Sequence, residues 1–326
     1  MNVLMRLLGL GLSALALTTM TGNALAQSYP GKPIRFVVPY PPGGASDITA
    51  RIIGQKLTEA WGQPVVIENR PGANGNLAVE HVAKSPADGY TMLMGNVGPN
   101  AISPILYPNL PYHAVTSFAP VTLTTTVPIV LLVAPSLPVK NVKELIAYAK
   151  ANPNKLNFAS AGNGSSNHLT GELFKSTVGI DIVHVPYKGD APALTDLMGG
   201  QVSMMFTTVV AAMPHIKSGR LQALAVASAK RIATMPNLPT VAESGVPGFD
   251  SSSWGGILLP AGTPKEIIAK MHATVVTILA MPDVKLRLSD LGAEVVGNTP
   301  EEFGSYIKSE MAKWGKVVKT SGASVN

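Results

Sequence analysis

Apolar and polar positions fall in blocks along this 326-residue chain, and the blocks switch repeatedly between strand-like and helix-like spacing. Ile34-Arg35-Phe36-Val37-Val38 reads as a short apolar strand that stops at Pro39, followed by the loop Pro41-Pro42-Gly43-Gly44-Ala45. Ser46 or Asp47 can cap the next helix, whose apolar residues at 48, 52, 53, 57 and 61 share one face. Gly62 ends it. Val65-Val66-Ile67 is a second strand, Asn74-Gly75-Asn76 opens a helix to Val82, and Asp88-Gly89 turns into a strand at 90–94. The scheme then repeats. Asn141 caps a helix with Glu144 in the capping-box position, a strand at 156–159 leads into Gly162-Asn163-Gly164-Ser165-Ser166-Asn167, and the next helix presents Leu169 and Leu173. Further strands are predicted at 180–185, 202–206 and 221–227, with helices at 192–197 and 210–217, the latter bent at Pro214.

Such alternation argues for a parallel sheet covered by helices. The apolar strands 128–135 and 254–261 run into Ala/Pro breaks and read as crossings between two lobes. The tail is helical: Thr263-Pro264-Lys265-Glu266 and Thr299-Pro300-Glu301-Glu302 each combine a cap, a first-turn proline and a box glutamate. The fold class expected is therefore α/β, two Rossmann-like lobes joined by a two-strand hinge. Lobe one is discontinuous (27–128 and 252–326), and lobe two is 129–251.

Composition adds a compartment. Arg6, the apolar run 7–17 and Ala24-Leu25-Ala26 form an export signal, with cleavage after Ala26 and a periplasmic mature protein starting at Gln27. The apolar run is shorter than the roughly 20 residues a spanning helix needs. The chain has no cysteine, which excludes a lipobox, thiolate nucleophiles and thiolate metal sites. Removing 26 of 326 residues leaves 300, enough for two domains. The formal charge of +6 loses only Arg6, giving +5, and no basic run interleaves with aromatics. Nucleic-acid binding is not expected.

Catalytic signatures are weak. Gly162-x-Gly164 lacks the third glycine of a dinucleotide fingerprint, and Gly43-Gly44 lacks the Gly-Lys-Ser/Thr of a P-loop. No Gly-x-Ser-x-Gly elbow exists, and the six histidines contain no pair at i, i+4. No metal or cofactor is expected. A Ser165–His168 dyad would lack a nameable third member. What remains is a pair of loops, 41–47 and 162–167, each joining a strand end to a helix start, where ligands of open α/β sheets bind. Helix N-termini offer unpaired N–H groups and a positive dipole end, and glycines admit a ligand close to that backbone. Ser46, Ser165 and Ser166 add hydroxyls. A micromolar complex needs about 8 kcal/mol, and a helix end supplies at most about 2, so amides and hydroxyls must do most of the holding. A third junction, 185–193, offers Lys188 as a cation and Tyr187 as a flat wall. Asp47 either caps its helix or holds a ligand amino group.

Four stretches together resemble the Bug family, the substrate-binding subunits of tripartite tricarboxylate transporters. They are Tyr29-Pro30-x-Lys32-Pro33-Ile34 to Tyr40-Pro41-Pro42-Gly43-Gly44-x-x-Asp47; Glu68-Asn69-Arg70-Pro71-Gly72-Ala73-x-Gly75; Ala159-Ser160-Ala161-Gly162-x-Gly164-Ser165-Ser166-x-His168-Leu169; and Val185-Pro186-Tyr187-Lys188-Gly189 running to Asp196-Leu197-x-Gly199-Gly200. The resemblance implies a type II periplasmic-binding-protein fold and delivery of a small carboxylate to membrane permease subunits. The carboxylate would be a di- or tricarboxylate, an acidic amino acid or an aromatic acid. It places ligand contacts on Tyr40, Gly43, Gly44, Ala45, Ser46 and Asp47, on Ser160, Gly164, Ser165, Ser166 and His168, and on Tyr187, Lys188 and Gly189. The protein is expected to act as a monomer and not as an enzyme. The alternatives are a clamp that signals to a membrane receptor, or a hydrolase using Ser165 and His168.

Overall fold

The computed structural model describes residues 29–324, so the export signal read at 1–26 lies outside the described residues. From Lys32 onward the chain forms one unit. Strand β1 (Ile34–Val38) buries every side chain except Arg35, and helix α1 (Ala45–Trp61) follows its loop. Gly62 terminates α1 in the left-handed region (φ 65°), donating its amide to Thr58 O. The Thr58 hydroxyl then accepts from Val65 N at 3.0 Å, tying the helix end to β2 (Val65–Asn69). A 3-10 turn at Ala73–Gly75 leads into α2 (Asn76–Ala83) and β3 (Thr91–Asn96). Next come a π-helical turn at Gly98–Ile102 and the short α3 (Ser103–Leu106), a segment the residue pattern had not disclosed.

The next strand, β4 (Phe118–Val133), is 16 residues long. After it come α4 (Val142–Ala151), β5 (Asn157–Ser160), α5 (Ser166–Val178), β6 (Val183–Pro186), α6 (Asp190–Met198), β7 (Met204–Thr208), α7 (Val209–Lys217) and β8 (Gln222–Val226). Strand β9 (Ser252–Pro260), α8 (Lys265–Ala280), α9 (Pro282–Asp290), β10 (Glu294–Val295) and α10 (Pro300–Ser321) complete the chain. The sheet runs β2-β1-β3-β9-β4-β7-β5-β6, with β8 and β10 also paired to β4. It is mixed, which corrects the expected parallel sheet. Pairs β2–β1–β3 and β6–β5–β7 are parallel, while β4 and β9 run antiparallel to their neighbours.

Strand β4 joins the two lobes. Phe118 to Pro128 pair with β9, and Ile129 to Val133 pair with β7 and β8. The change of partner falls at Pro128, a residue with no amide hydrogen to give a ladder. The return crossing lies just before β9, where Ser251 N bonds Ala227 O at 2.8 Å. Within β9, Gly255 to Leu258 pair with β3 of lobe one.

Burial follows the strand period of two. Ile129, Leu131 and Val133 join one core layer of lobe two, and Val130, Leu132 and Ala134 join the layer on the other face. Lobe one closes around Val37, Leu93, Trp254, Phe303 and Trp314, and Leu169 of α5 is buried in that same cluster. Buried Glu310 is satisfied by both indoles, Trp254 at 3.1 Å and Trp314 at 3.0 Å. Of the two tail boxes, Thr299–Glu302 forms in full. Thr263 does not cap. Pro264 is extended (ψ 138°), so the helix starts one residue later, and the Thr263 hydroxyl donates to Pro260 O instead.

Candidate functional site

Strand β1 lies between β2 and β3, and β5 between β6 and β7. Winding therefore reverses at each, and the loops leaving their carboxyl ends are the ligand positions of open α/β sheets.

The first loop is held by Asp47, whose carboxylate accepts from Gly43 N (3.0 Å), Asn69 Nδ2 (2.9 Å) and Arg51 Nε (3.0 Å), with Arg51 Nη2 at 2.9 Å. Burial alone would raise its pKa, but these bonds outweigh burial and hold the carboxyl below the ordinary value. Asp47 therefore faces the chain rather than the cleft. Ser46 turns the other way, accepting from Asn96 Nδ2 at 3.3 Å, which also reaches Trp254 O on β9 at 3.1 Å.

In the second loop Ser165 caps α5, accepting from His168 N and donating to Gly162 O at 2.7 Å. Ser160 is fully buried; it accepts from Gly162 N at 3.1 Å and shares a 2.6 Å hydrogen bond with His184 Nε2. His168 Nδ1 accepts from Gly164 N at 3.1 Å, and its ring stacks on His184 with centroids 4.0 Å apart. Burial, then Lys175, pushes His168 down to about 4; burial, then His168 and Lys175, pushes His184 down to about 3. Both rings are neutral at neutral pH. Ser160 and His168 thus shape the loop from beneath, and no Ser165–His168 side-chain bond forms, which removes the dyad.

At the third junction Gly189 (φ 114°) turns the chain into α6. Tyr187 donates to Asp196 at 2.7 Å, and burial plus that partner push its pKa up to about 12. Lys188 is exposed at the rim.

Two neighbouring spaces result, with Tyr40 and Ala161 common to their walls. An inner pocket of about 30 Å³ is lined by Gly44, Ala45 and Ser46, by Ser165, Ser166 and Asn167, and by Tyr40, Asn96, Ala161, Asp190, Thr208 and Ser253. An outer cavity of about 520 Å³ shares Tyr40 and Ala161 and adds Tyr187, Lys188, Gly189 and the 71–75 turn. Gly43, Asp47, Ser160, Gly164 and His168 line neither space. The inner wall is built from the first residues or caps of α1, α5, α6 and α7. Four positive helix ends thus converge there, and among the described lining residues only Lys188, in the outer cavity, is cationic. Reading the residues alone missed Asn74, Asn96, Asp190, Thr208 and Ser253. Thr208 carries a signal of a kind, standing where a strand passes directly into a helix; its buried hydroxyl has no partner.

Residues 49–323 match the family model described as tripartite tricarboxylate transporter family receptor. The chain belongs to that family. BugT of Bordetella pertussis is 39% identical over 299 residues, covering 91% of this chain and 92% of BugT. The structure of R. palustris Rpa4515 with adipate superimposes with a TM-score of 0.89 at 40% identity, covering 91% of this chain and 99% of that one. MatC from Rhodopseudomonas palustris with bound malate gives 0.85 at 36% identity, covering 89% and 100%. The Bug resemblance drawn from the motifs holds, and the two lobes form a type II periplasmic-binding-protein fold.

Proposed function

We propose that this receptor-family protein is a periplasmic solute-binding protein that captures a small organic carboxylate between its lobes and delivers it to permease subunits. The observation that carries this reading is the inner pocket, walled by four helix N-termini and six hydroxyl-bearing residues (Tyr40, Ser46, Ser165, Ser166, Thr208 and Ser253) without a cation. Each helix end contributes roughly 0.3–1 kcal/mol, and hydrogen bonds to a charged group about 1.5–3 kcal/mol each. Three or four such bonds reach the roughly 8 kcal/mol of a micromolar complex. Export by cleavage after Ala26, a lobe partition at 128/129 and 251/252, and action as a monomer complete the proposal. Adipate and malate in the related structures support the ligand class.

The test is calorimetry and thermal shift on the mature protein with aliphatic, amino and aromatic carboxylates, each recovered afterwards for chemical analysis. Saturable binding of at least one acid, recovered unaltered, is expected. A panel without heat or shift, or an acid recovered as product, overturns the reading.

A further inference from the structure

Asp190 is the single carboxylate among the described residues lining either space. Its Oδ1 accepts from Asn167 Nδ2 at 2.7 Å and from Thr207 Oγ1 at 2.8 Å, which fixes the plane of the group. Oδ2 accepts no hydrogen bond from any described residue. It points across the cleft at the cap of α1, where a Cβ added to Gly44 would stand 3.3 Å away. The forces on the carboxyl are burial, which raises its pKa, opposed by those two hydrogen bonds, with no cation among them. Tyr40 is the titratable group that faces it from lobe one.

A carboxylate is out of place in a pocket otherwise lined by hydroxyls, amides and helix N-termini, and size says what it can meet. A space of about 30 Å³ holds roughly two waters, so it admits a carboxylate and the carbon next to it. The rest of a ligand must pass Tyr40 and Ala161 into the outer cavity, which Asp190 does not line. The ligand atoms that reach Oδ2 are therefore the carboxylate itself or a substituent on its α-carbon. An ionised carboxylate has only acceptors to offer. A hydroxyl or ammonium on the α-carbon has the missing donor.

We infer that Asp190 is a specificity-determining residue that selects carboxylates bearing an α-hydroxyl or α-ammonium group over their unsubstituted analogues. This rests on the cleft being a carboxylate site. The experiment is calorimetry on the mature protein with three series differing only at the α-carbon: succinate, malate and aspartate; adipate, 2-hydroxyadipate and 2-aminoadipate; 3-phenylpropanoate, 3-phenyllactate and phenylalanine. In any series that binds, a substituted member is expected to bind about tenfold tighter or better than its parent. Asp190→Asn keeps an oxygen for Asn167 and Thr207 but turns an N–H₂ toward the pocket, so the preference should shrink to about threefold or less. Wild-type protein that binds parent and substituted acids equally overturns the inference without needing the variant, as does an Asp190→Asn variant that keeps the full preference. Equal binding that weakens as pH rises would mean that Asp190 is itself the donor, and overturns it too. If no acid in any series binds, the carboxylate reading falls instead.

Discussion

The serines and glycines of the two loops carry different work from what their spacing alone conveys. Ser166 lines the inner pocket, and its hydroxyl has only a 3.3 Å bond to the Asn167 side chain. Asp47, two residues into α1, spends its carboxylate on Gly43, Asn69 and Arg51. Substituting them should therefore separate binding from folding. Ser166→Ala is expected to weaken carboxylate binding by about tenfold while leaving the apo protein within about 0.5 kcal/mol of wild type. Asp47→Ala should cost the apo protein about 1–3 kcal/mol, because Gly43 N and the Asn69 amide lose a charged acceptor. Urea unfolding beside calorimetry checks both, and equal stability loss in the two variants would make Ser166 a structural cap. Ser46, Ser165 and Ser166 line the inner pocket, where their place between a strand end and a helix start put them, although Ser165 also caps α5. Asp190 and Thr208 were not legible in this way, since only the sheet order carries the starts of α6 and α7 to the same pocket.

Elements were easier to read than their partners. Thr299 and Thr263 head near-identical four-residue patterns, yet only the first forms a box, because the backbone angle at Pro264 decides which residue is the cap. The histidines beneath the second loop show the same limit, as no spacing rule joins α5 to β6. Their packing makes a pH statement. Folded pKa values near 4 and 3, against an ordinary 6.5, mean the unfolded chain binds more protons between those limits. The stability these rings contribute is complete above pH 6.5 and is lost as pH falls toward the folded values. Protonation of His168 would also turn Nδ1 into a donor facing the Gly164 amide, with Lys175 opposing the charge and Glu172, 4.0 Å from Nε2, favouring it. The melting temperature should accordingly fall from pH 6.5 to pH 4, and His184→Gln should flatten that fall. An unchanged slope in the variant would assign the acid sensitivity to other groups.

At the scale of the whole molecule, two strand–helix series made two lobes legible. The burial of Leu169 of α5 in the lobe-one core was beyond any local pattern, because Phe303 and Trp314 of that core lie more than a hundred residues away. Closure is the property this architecture exists to supply, and the seam offers a clean probe of it. Gly189 and Gly164 also approach the opposite lobe, at Pro41 and Asn74, but both have positive φ, so any substitution there adds backbone strain. Gly44 differs. Its backbone is extended (φ −86°, ψ 171°), and the only atom within 4 Å of an added Cβ is Asp190 Oδ2 across the cleft. A branched side chain there should leave each lobe intact, costing about 1 kcal/mol as a poorer cap, yet hold the lobes apart. We expect small-angle scattering to show wild-type protein compacting on ligand addition and Gly44→Val failing to compact. Affinity should fall by about tenfold or more, because the closed state becomes a minor one, and the loss should appear in faster dissociation. A Gly44→Val protein that compacts and binds as wild type does would mean that the lobes need not approach at this seam to hold their ligand.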